Sequence, residues 1–395
     1  MRRISVVLFF CLAAVPAVAD EPLKLLIFPL NGSSENGGAW VGDGIAVSLS
    51  RQLTDTEINL FSRGETEDLL VENGLPSNEP LSRGSMIYIA DKAGADFVVL
   101  GSYTESEGGL KFLVRLLDVK TKKQGNEFTV SGTFITLPEM ENELAWMIYS
   151  SVVRTPSVSR EIFRERVRRI PNSAFAVYIE SLNEYDESRQ IQLLEKAVKE
   201  YADFAEARFQ IGRFYYQKKD YARALPHIEY GRKIPGELFQ SEFMIGTCRL
   251  QMGENTRAAE NYSRLLSLIR HTAALNNLAV AHIRSGNNDH ALRALMEAHE
   301  RDSDEPAIAI NLTIARYLAG DTPTATQFIE EAIASYPGNG MLHYLSSFLM
   351  KQVGNEVRAS TDMARAARFG IDVDKLSREK PQAWMRVILN WTNVE

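Results

Sequence analysis

The sequence predicts an α/β amino-terminal domain, a small mixed sheet with helices, followed by an all-α superhelix of repeated helix pairs. Three observations carry this. Up to about residue 153, short apolar runs of strand length alternate with stretches of helical period. Beyond about residue 205, a Leu/Ile–small pair, a Gly and an Ala recur at a fixed spacing, the mark of a repeat array. The 395 residues are 45% hydrophobic and 24% charged, with 14 Pro, which fits two or three folded domains and excludes a disordered or collagen-like chain. Lys+Arg 44 against Asp+Glu 51 gives −7, which argues against a general nucleic-acid binder. Six His and two Cys exclude a disulfide framework and leave little for a metal cluster, so no metal or cofactor is expected.

Residues 1–19 read as a signal peptide. Arg2 and Arg3 precede an apolar run from Ile4 to Val15, then Pro16 and Ala17-Val18-Ala19, with cleavage expected after Ala19. The run is too short to span a bilayer, and no later segment is a spanning candidate. Cys11 follows Phe9 and Phe10 rather than small residues, which argues against a lipoprotein cysteine. Its removal leaves Cys248 alone, and burial in a helical core is the usual fate of such a thiol.

Residues 20–154 form the α/β domain. Leu23–Leu30 is a buried strand stopped by Asn31-Gly32, and a polar loop from Gly32 to Gly38 leads to Trp40. Ile45, Leu49 and Leu53 give 41–53 a helical face. Ile58–Phe61 is a strand, and Glu65–Asn73 and Ser85–Ala93 are short helices closed by Gly74 and Gly94. Phe97–Tyr103 pairs with Leu110–Val119 as a hairpin across Gly108-Gly109, Phe128–Phe134 adds a strand, and Leu137–Val153 closes the domain as a helix.

The segments LLIFPL, WVGDGIA, FSR, AGADFVVLGSY and LLDVKT, spread over about 110 residues, resemble the TolB amino-terminal domain family and the related FlgO- and CsgG-type envelope domains. The resemblance implies a contact module of the periplasm or outer membrane, with no catalytic residues to carry over. Gly42-Asp43-Gly44 is not a dinucleotide fingerprint, because Val47 stands where the third Gly belongs. Asp43, Asp96 and Asp118 could form a carboxylate site, the basis of an alternative reading as an envelope hydrolase. Each sits at an element end where a solvated acid is commonplace, and the expectation is that the chain is not an enzyme.

In the array, Ile211-Gly212, Ile245-Gly246, Leu278-Ala279, Leu312-Thr313 and Ser346-Ser347 recur at steps of 34, 33, 34 and 34 residues. Gly253, Gly286, Gly320 and Gly354 mark the turns, and Ala258, Ala291, Ala325 and Ala359 follow five residues later. Small residues let two helices approach, and Gly takes the left-handed turn. With Tyr215, Asp220-Tyr221, Ala224 and Pro235, the pattern resembles the tetratricopeptide repeat (TPR) family. Six units are expected over 171–373: 171–204 (degenerate), 205–238, 239–271, 272–305, 306–339 and 340–373. Residues 374–395, with Trp384, Ile388, Leu389 and Trp391, read as a capping helix.

Residues 155–170 carry Arg160, Arg164, Arg166, Arg168 and Arg169 and read as a solvated basic linker. The sharper alternative is contact with the first domain, which holds 11 Lys+Arg against 20 Asp+Glu. The TPR resemblance implies a peptide- or protein-binding inner face lined by Phe209, Arg213, Tyr216, Phe243, Leu250 and Asn276, and by Ile283, Ile310, Ile314, Tyr317, Tyr344 and Phe348. Together these readings predict an exported periplasmic scaffold of the cell envelope that works through protein–protein interaction in an envelope or secretion-related assembly, without nucleic acid and without a membrane span once the signal is removed.

Overall fold

The computed structural model describes residues 22–33, 40–54, 57–76, 81–106 and 109–391. The signal segment 1–19 with Cys11, most of the 32–38 loop and Gly108 lie outside the described residues. The chain divides into two compact units, Met1–Asn172 and Ser173–Glu395. Among the described residues, no helix is long and apolar enough to cross a membrane.

The first unit is built on a mixed sheet of β1 (Leu23–Ile27), β2 (Asn31–Ser33), β3 (Ile58–Leu60), β4 (Phe97–Ser106), β5 (Gly109–Asp118) and β6 (Lys123–Thr133), with the path β3-β1-β4-β5-β6. Both β3 and β4 lie parallel to β1, whereas β4, β5 and β6 form an antiparallel meander. The loop expected after β1 contributes β2, which pairs with Ser102–Thr104 of β4. Gly32 permits this, because a Cβ there would meet the Tyr103 ring and carbonyl at 2.5 Å.

Helices cover both faces of this sheet. On one side lie α1 (Val41–Leu53) and, after α2 (Arg63–Glu72) and α3 (Arg83–Lys92), α4 (Leu137–Val152). Leu25 and Val99 pack with Ile45, Leu49, Leu144 and Ile148 on that face, while Leu26 and Val98 face Leu70, Met86 and Ile89 of α2 and α3. Successive strand residues therefore feed opposite cores, which is why β1 reads as an unbroken apolar run. The outermost strand β6 is largely exposed and begins at Lys123, a charged edge that discourages strand pairing with other chains.

The basic segment is not a free linker. After α5 (Arg160–Arg164) it packs back on the first unit: Phe163 is fully buried, with its ring centroid 5.4 Å from Trp146 and 5.5 Å from Tyr149. Arg160 pairs with Glu143 at 2.7 Å, and Arg166 donates to the Gln52 carbonyl at 2.7 Å. Arg168 is buried against Glu141, its Nε donating to Oε2 at 2.9 Å and its Nη2 to Oε1 at 3.1 Å. Ser48 donates to the same carboxylate at 2.6 Å, while Arg164 and Arg169 remain exposed. The acidic balance of this unit favours such docking, and the buried pair fixes its register.

The second unit is six helix pairs. They are α6 (Asn172–Leu182) with α7 (Glu187–Glu200), α8 (Ala205–Gln217) with α9 (Tyr221–Ile228), α10 (Leu238–Gln251) with α11 (Asn255–Leu268), α12 (Thr272–Arg284) with α13 (Asn288–Arg301), α14 (Pro306–Leu318) with α15 (Thr322–Ser335), and α16 (Gly340–Gln352) with α17 (Glu356–Arg368). Close approach explains the small residues: a Cβ at Gly212 would sit 2.7 Å from Ile228, and one at Gly246 would sit 2.9 Å from the Tyr262 ring. Gly253, Gly286, Gly320 and Gly354 take φ between +77° and +84° at the turns. In the second pair the same place holds Lys219, at φ +60°.

Among the described residues, the capping helix expected over 374–395 does not form. Residues beyond Gly370 form α18 (Val373–Ser377) and a 3-10 turn at Pro381–Trp384, and from Met385 to Trp391 the chain has no helix or strand. Pro381 cannot donate into a continuous helix. Residues 384–391 instead run across the array as a strap, held by partners in α8, α10, α12, α14 and α16.

Candidate functional site

The first helices of the second to sixth pairs, α8, α10, α12, α14 and α16, lend residues to one shared face, and the strap lies along it. At the late end, Trp384 is buried, its ring meeting Tyr344 and Phe348 edge-on, each at 5.1 Å. Its indole N–H donates to the Leu376 carbonyl at 3.2 Å, so the polar tip of this anchor is satisfied. At the early end, the Trp391 indole stacks on His271 at 4.0 Å with 3° between planes, and Phe243 closes the pocket at 5.5 Å. The orientation of His271 is fixed because its Nδ1 accepts from the Ala274 amide, capping α12.

Between the anchors, the strap backbone is read by side-chain amides. Asn311 donates from Nδ2 to the Arg386 carbonyl at 2.7 Å, and its Oδ1 accepts from the Arg386 amide at 2.7 Å. Asn277 repeats the pairing on Ile388, at 2.7 Å and 2.9 Å. Asn276 adds a donor to the Arg386 carbonyl at 3.0 Å, and the Tyr216 hydroxyl donates to the Leu389 carbonyl at 2.8 Å. A primary amide offers the donor and acceptor of a peptide group, so this pairing is blind to the ligand's side chains. The read residues are two apart, as alternate residues of an extended segment would be.

All three asparagines are fully buried. A buried amide left without partners costs about 1–3 kcal/mol. The strap meets that need, and the amides brace each other: Asn311 donates to Asn276 at 2.7 Å, and Asn277 reaches the Tyr262 hydroxyl at 3.3 Å. Tyr262 shares a 2.8 Å hydrogen bond with Thr247. Burial pushes the Tyr216 hydroxyl well above the ordinary range, so it stays a neutral donor.

Of the residues expected on this face, Tyr216, Phe243, Asn276, Tyr344 and Phe348 meet the strap. Leu250, Ile283, Ile310 and Ile314 share one buried cluster with Trp384 and Met385, and Tyr317 packs against it at half exposure. Phe209 differs: it belongs to the cluster of Ile228 and Cys248, and its ring lies 2.7 Å from where a Gly231 Cβ would be, so it is internal packing. Arg213 is half-buried beside Glu237, a carboxyl that burial pushes up against the pull of that charge. His271, Asn277 and Asn311 are added by the structure. Asn277 and Asn311 immediately precede the small-residue pairs of two successive units, 34 residues apart, and that periodic polar residue was the available signal.

The candidate acidic site does not assemble. Asp96 accepts from the Lys24 amide and pairs with Lys120, and Asp118 caps the turn by accepting from the Thr121 amide. Asp43 interacts with Tyr103, which lies seven residues on from Asp96 along the extended chain of β4, roughly 20 Å at strand rise. Gly42 serves packing, since a Cβ there would meet the Leu30 carbonyl at 2.2 Å.

Residues 182–235, 243–306 and 276–340 match the tetratricopeptide-repeat family model, and this part of the chain carries tetratricopeptide repeats. Solved structures similar to parts of the chain include MamA residues 41-end from Desulfovibrio magneticus RS-1 (13% identity, 45% of this chain and 97% of that one, TM-score 0.39). Another is YrrB, described as a TPR protein with an unusual peptide-binding site (13% identity, 47% and 98%, TM-score 0.38). A third is the LpoB C-terminal domain from Salmonella enterica (19% identity, 29% and 84%, TM-score 0.25). No curated protein sequence matches the chain.

Proposed function

We propose that this chain is an exported scaffold of the cell envelope whose repeats grip an extended segment of a protein partner. The observation that carries the reading is the double amide pairing of Asn277 and Asn311 with peptide backbone. The buried groups of this face match the backbone of an extended chain, and the aromatic pockets at either end add depth. The TolB-like resemblance of the first domain and the order of residues 1–19 support an envelope setting, and the first domain acts there as a second contact module.

Fractionation of native cells followed by cross-linking tests the proposal. The expected product is a periplasmic or outer-membrane-associated chain beginning at Asp20, cross-linked to a protein partner. A cytoplasmic chain that keeps residues 1–19 would sink the envelope assignment. If fractionated chain yields no protein cross-link under any extraction, the scaffold reading fails as well.

A further inference from the structure

The strap itself defines what the groove takes, an inference that rests on the scaffold reading and narrows its partner. Five of its polar contacts engage backbone groups of Arg386 and Ile388, not side chains, so they would hold any extended segment equally. Selectivity falls to the two pockets, each lined by aromatic rings and each filled by a tryptophan, at positions 384 and 391. Between them the strap is shallow: Arg386 and Asn390 are exposed, and Val387, Ile388 and Leu389 are only half-buried. From Met385 to Trp391 it has no helix or strand of its own, and its bonded amides depend on the asparagines. Such a segment has the physical character of a bound peptide that happens to be tethered.

We infer that the face formed by Phe243, His271, Asn277, Asn311, Tyr344 and Phe348 is a docking site for an extended partner segment with two aromatic side chains seven positions apart, and that residues 384–391 occupy it until such a segment displaces them. The incoming segment lies in the strap's direction, its second aromatic on His271. Departure of the strap alone would give up the backbone pairs of Asn276, Asn277 and Asn311, which another extended backbone would restore, so displacement is favoured over simple opening. Tethering sets the threshold. An intramolecular ligand acts at an effective concentration in the millimolar range, so a free segment binds with its affinity reduced by the fraction of chains whose groove is open.

The test uses the full chain and a fluorescein-labelled peptide of the sequence of residues 381–395, followed by anisotropy. Wild type should bind it weakly, and a Trp384→Ala, Trp391→Ala variant should bind at least about tenfold more tightly because its own strap competes poorly. Adding Asn277→Ala and Asn311→Ala to that variant should abolish binding, as should replacing both tryptophans of the peptide by alanine. Hydrogen exchange of wild type serves as a second measurement that needs no variant: excess peptide should speed exchange at the Arg386 and Ile388 amides. Equal peptide affinity for wild type and the strap variant, or unchanged strap exchange at saturating peptide, overturns the inference. A cellular partner that cross-links equally to wild type and to the Asn277→Ala, Asn311→Ala chain also overturns it, yet leaves the scaffold reading standing.

Discussion

The indole of Trp391 lies flat on the imidazole of His271, 4.0 Å away and 3° from parallel, although the two residues are 120 positions apart in the chain. This stack fastens one end of the strap, and Phe243 shields its side. Trp391→Ala should therefore cost about 1–3 kcal/mol and release the strap. Urea unfolding would read the loss, and hydrogen exchange would place it at residues 385–391 first. Exchange there at the wild-type rate would contradict the anchoring role.

Asn311→Ala removes both contacts to Arg386 and one brace of Asn276. The expected loss is about 1–3 kcal/mol. Asn311→Asp should be worse than Asn311→Ala at neutral pH, since the acid keeps the acceptor but puts a buried charge against the Arg386 carbonyl. Thermal melts of the two variants decide the order.

Lys219 occupies the left-handed position that Gly fills in the next four units. An L side chain there costs about 1–2 kcal/mol, and glycine gives back part of that gain through unfolded-state entropy. Lys219→Gly should stabilise the array by about 0.5–1 kcal/mol. A melting temperature that falls would show that the Lys219 side chain contributes more than its backbone costs.

Arg168→Met leaves the buried Glu141 carboxylate with Ser48 as its one hydrogen-bond donor among the described residues and Arg51 as a nearby charge, and burial already pushes that carboxyl up. About 3–5 kcal/mol should be lost from the first unit. Pairing it with Glu141→Leu should recover much of the loss, because the penalty lies in the orphaned charge. Denaturation of the single and double variants separates these effects.

Burial of Asp362 disfavours its ionised form, but the hydrogen bonds from Arg358 and Ser346 outweigh it and hold the carboxyl below the ordinary range. A carboxyl depressed in the folded state stabilises it fully above the ordinary carboxylate value. That contribution fades as the pH falls through the depressed folded value. Stability of the wild type should thus fall more steeply below about pH 4 than that of Asp362→Asn, which starts lower at neutral pH. Parallel stability–pH curves would exclude this role.

Much of the fold is legible in local pattern. The period of 33–34 residues places the turns at Gly253, Gly286, Gly320 and Gly354, because the backbone turns left-handed there, a conformation Gly takes without a Cβ clash. Ile45, Leu49 and Leu53 give the span of α1, and alternation gives the β4–β5 hairpin. The strap misleads for an equally physical reason. Trp384, Ile388 and Trp391 fall at i, i+4 and i+7, the spacing of a helix face, so local reading makes them a cap. The same residues serve as anchors of a non-helical segment; Pro381 argues locally only against one helix running through from Val373, not against a helix beginning there.

The sequence by itself therefore determined the α/β unit, the helix pairs and much of the stripe on which residues 384–391 lie, since each follows from interactions between near neighbours. Tertiary structure alone decided what lies on that face. The groups that hold Arg386 and Ile388 stand 75 and 111 residues away, and a backbone amide acquires a partner at that distance only when the whole array has stacked. It also decided that Arg160, Arg166 and Arg168 belong to the first unit, because their acceptors are brought together by the packing of α1 and α4.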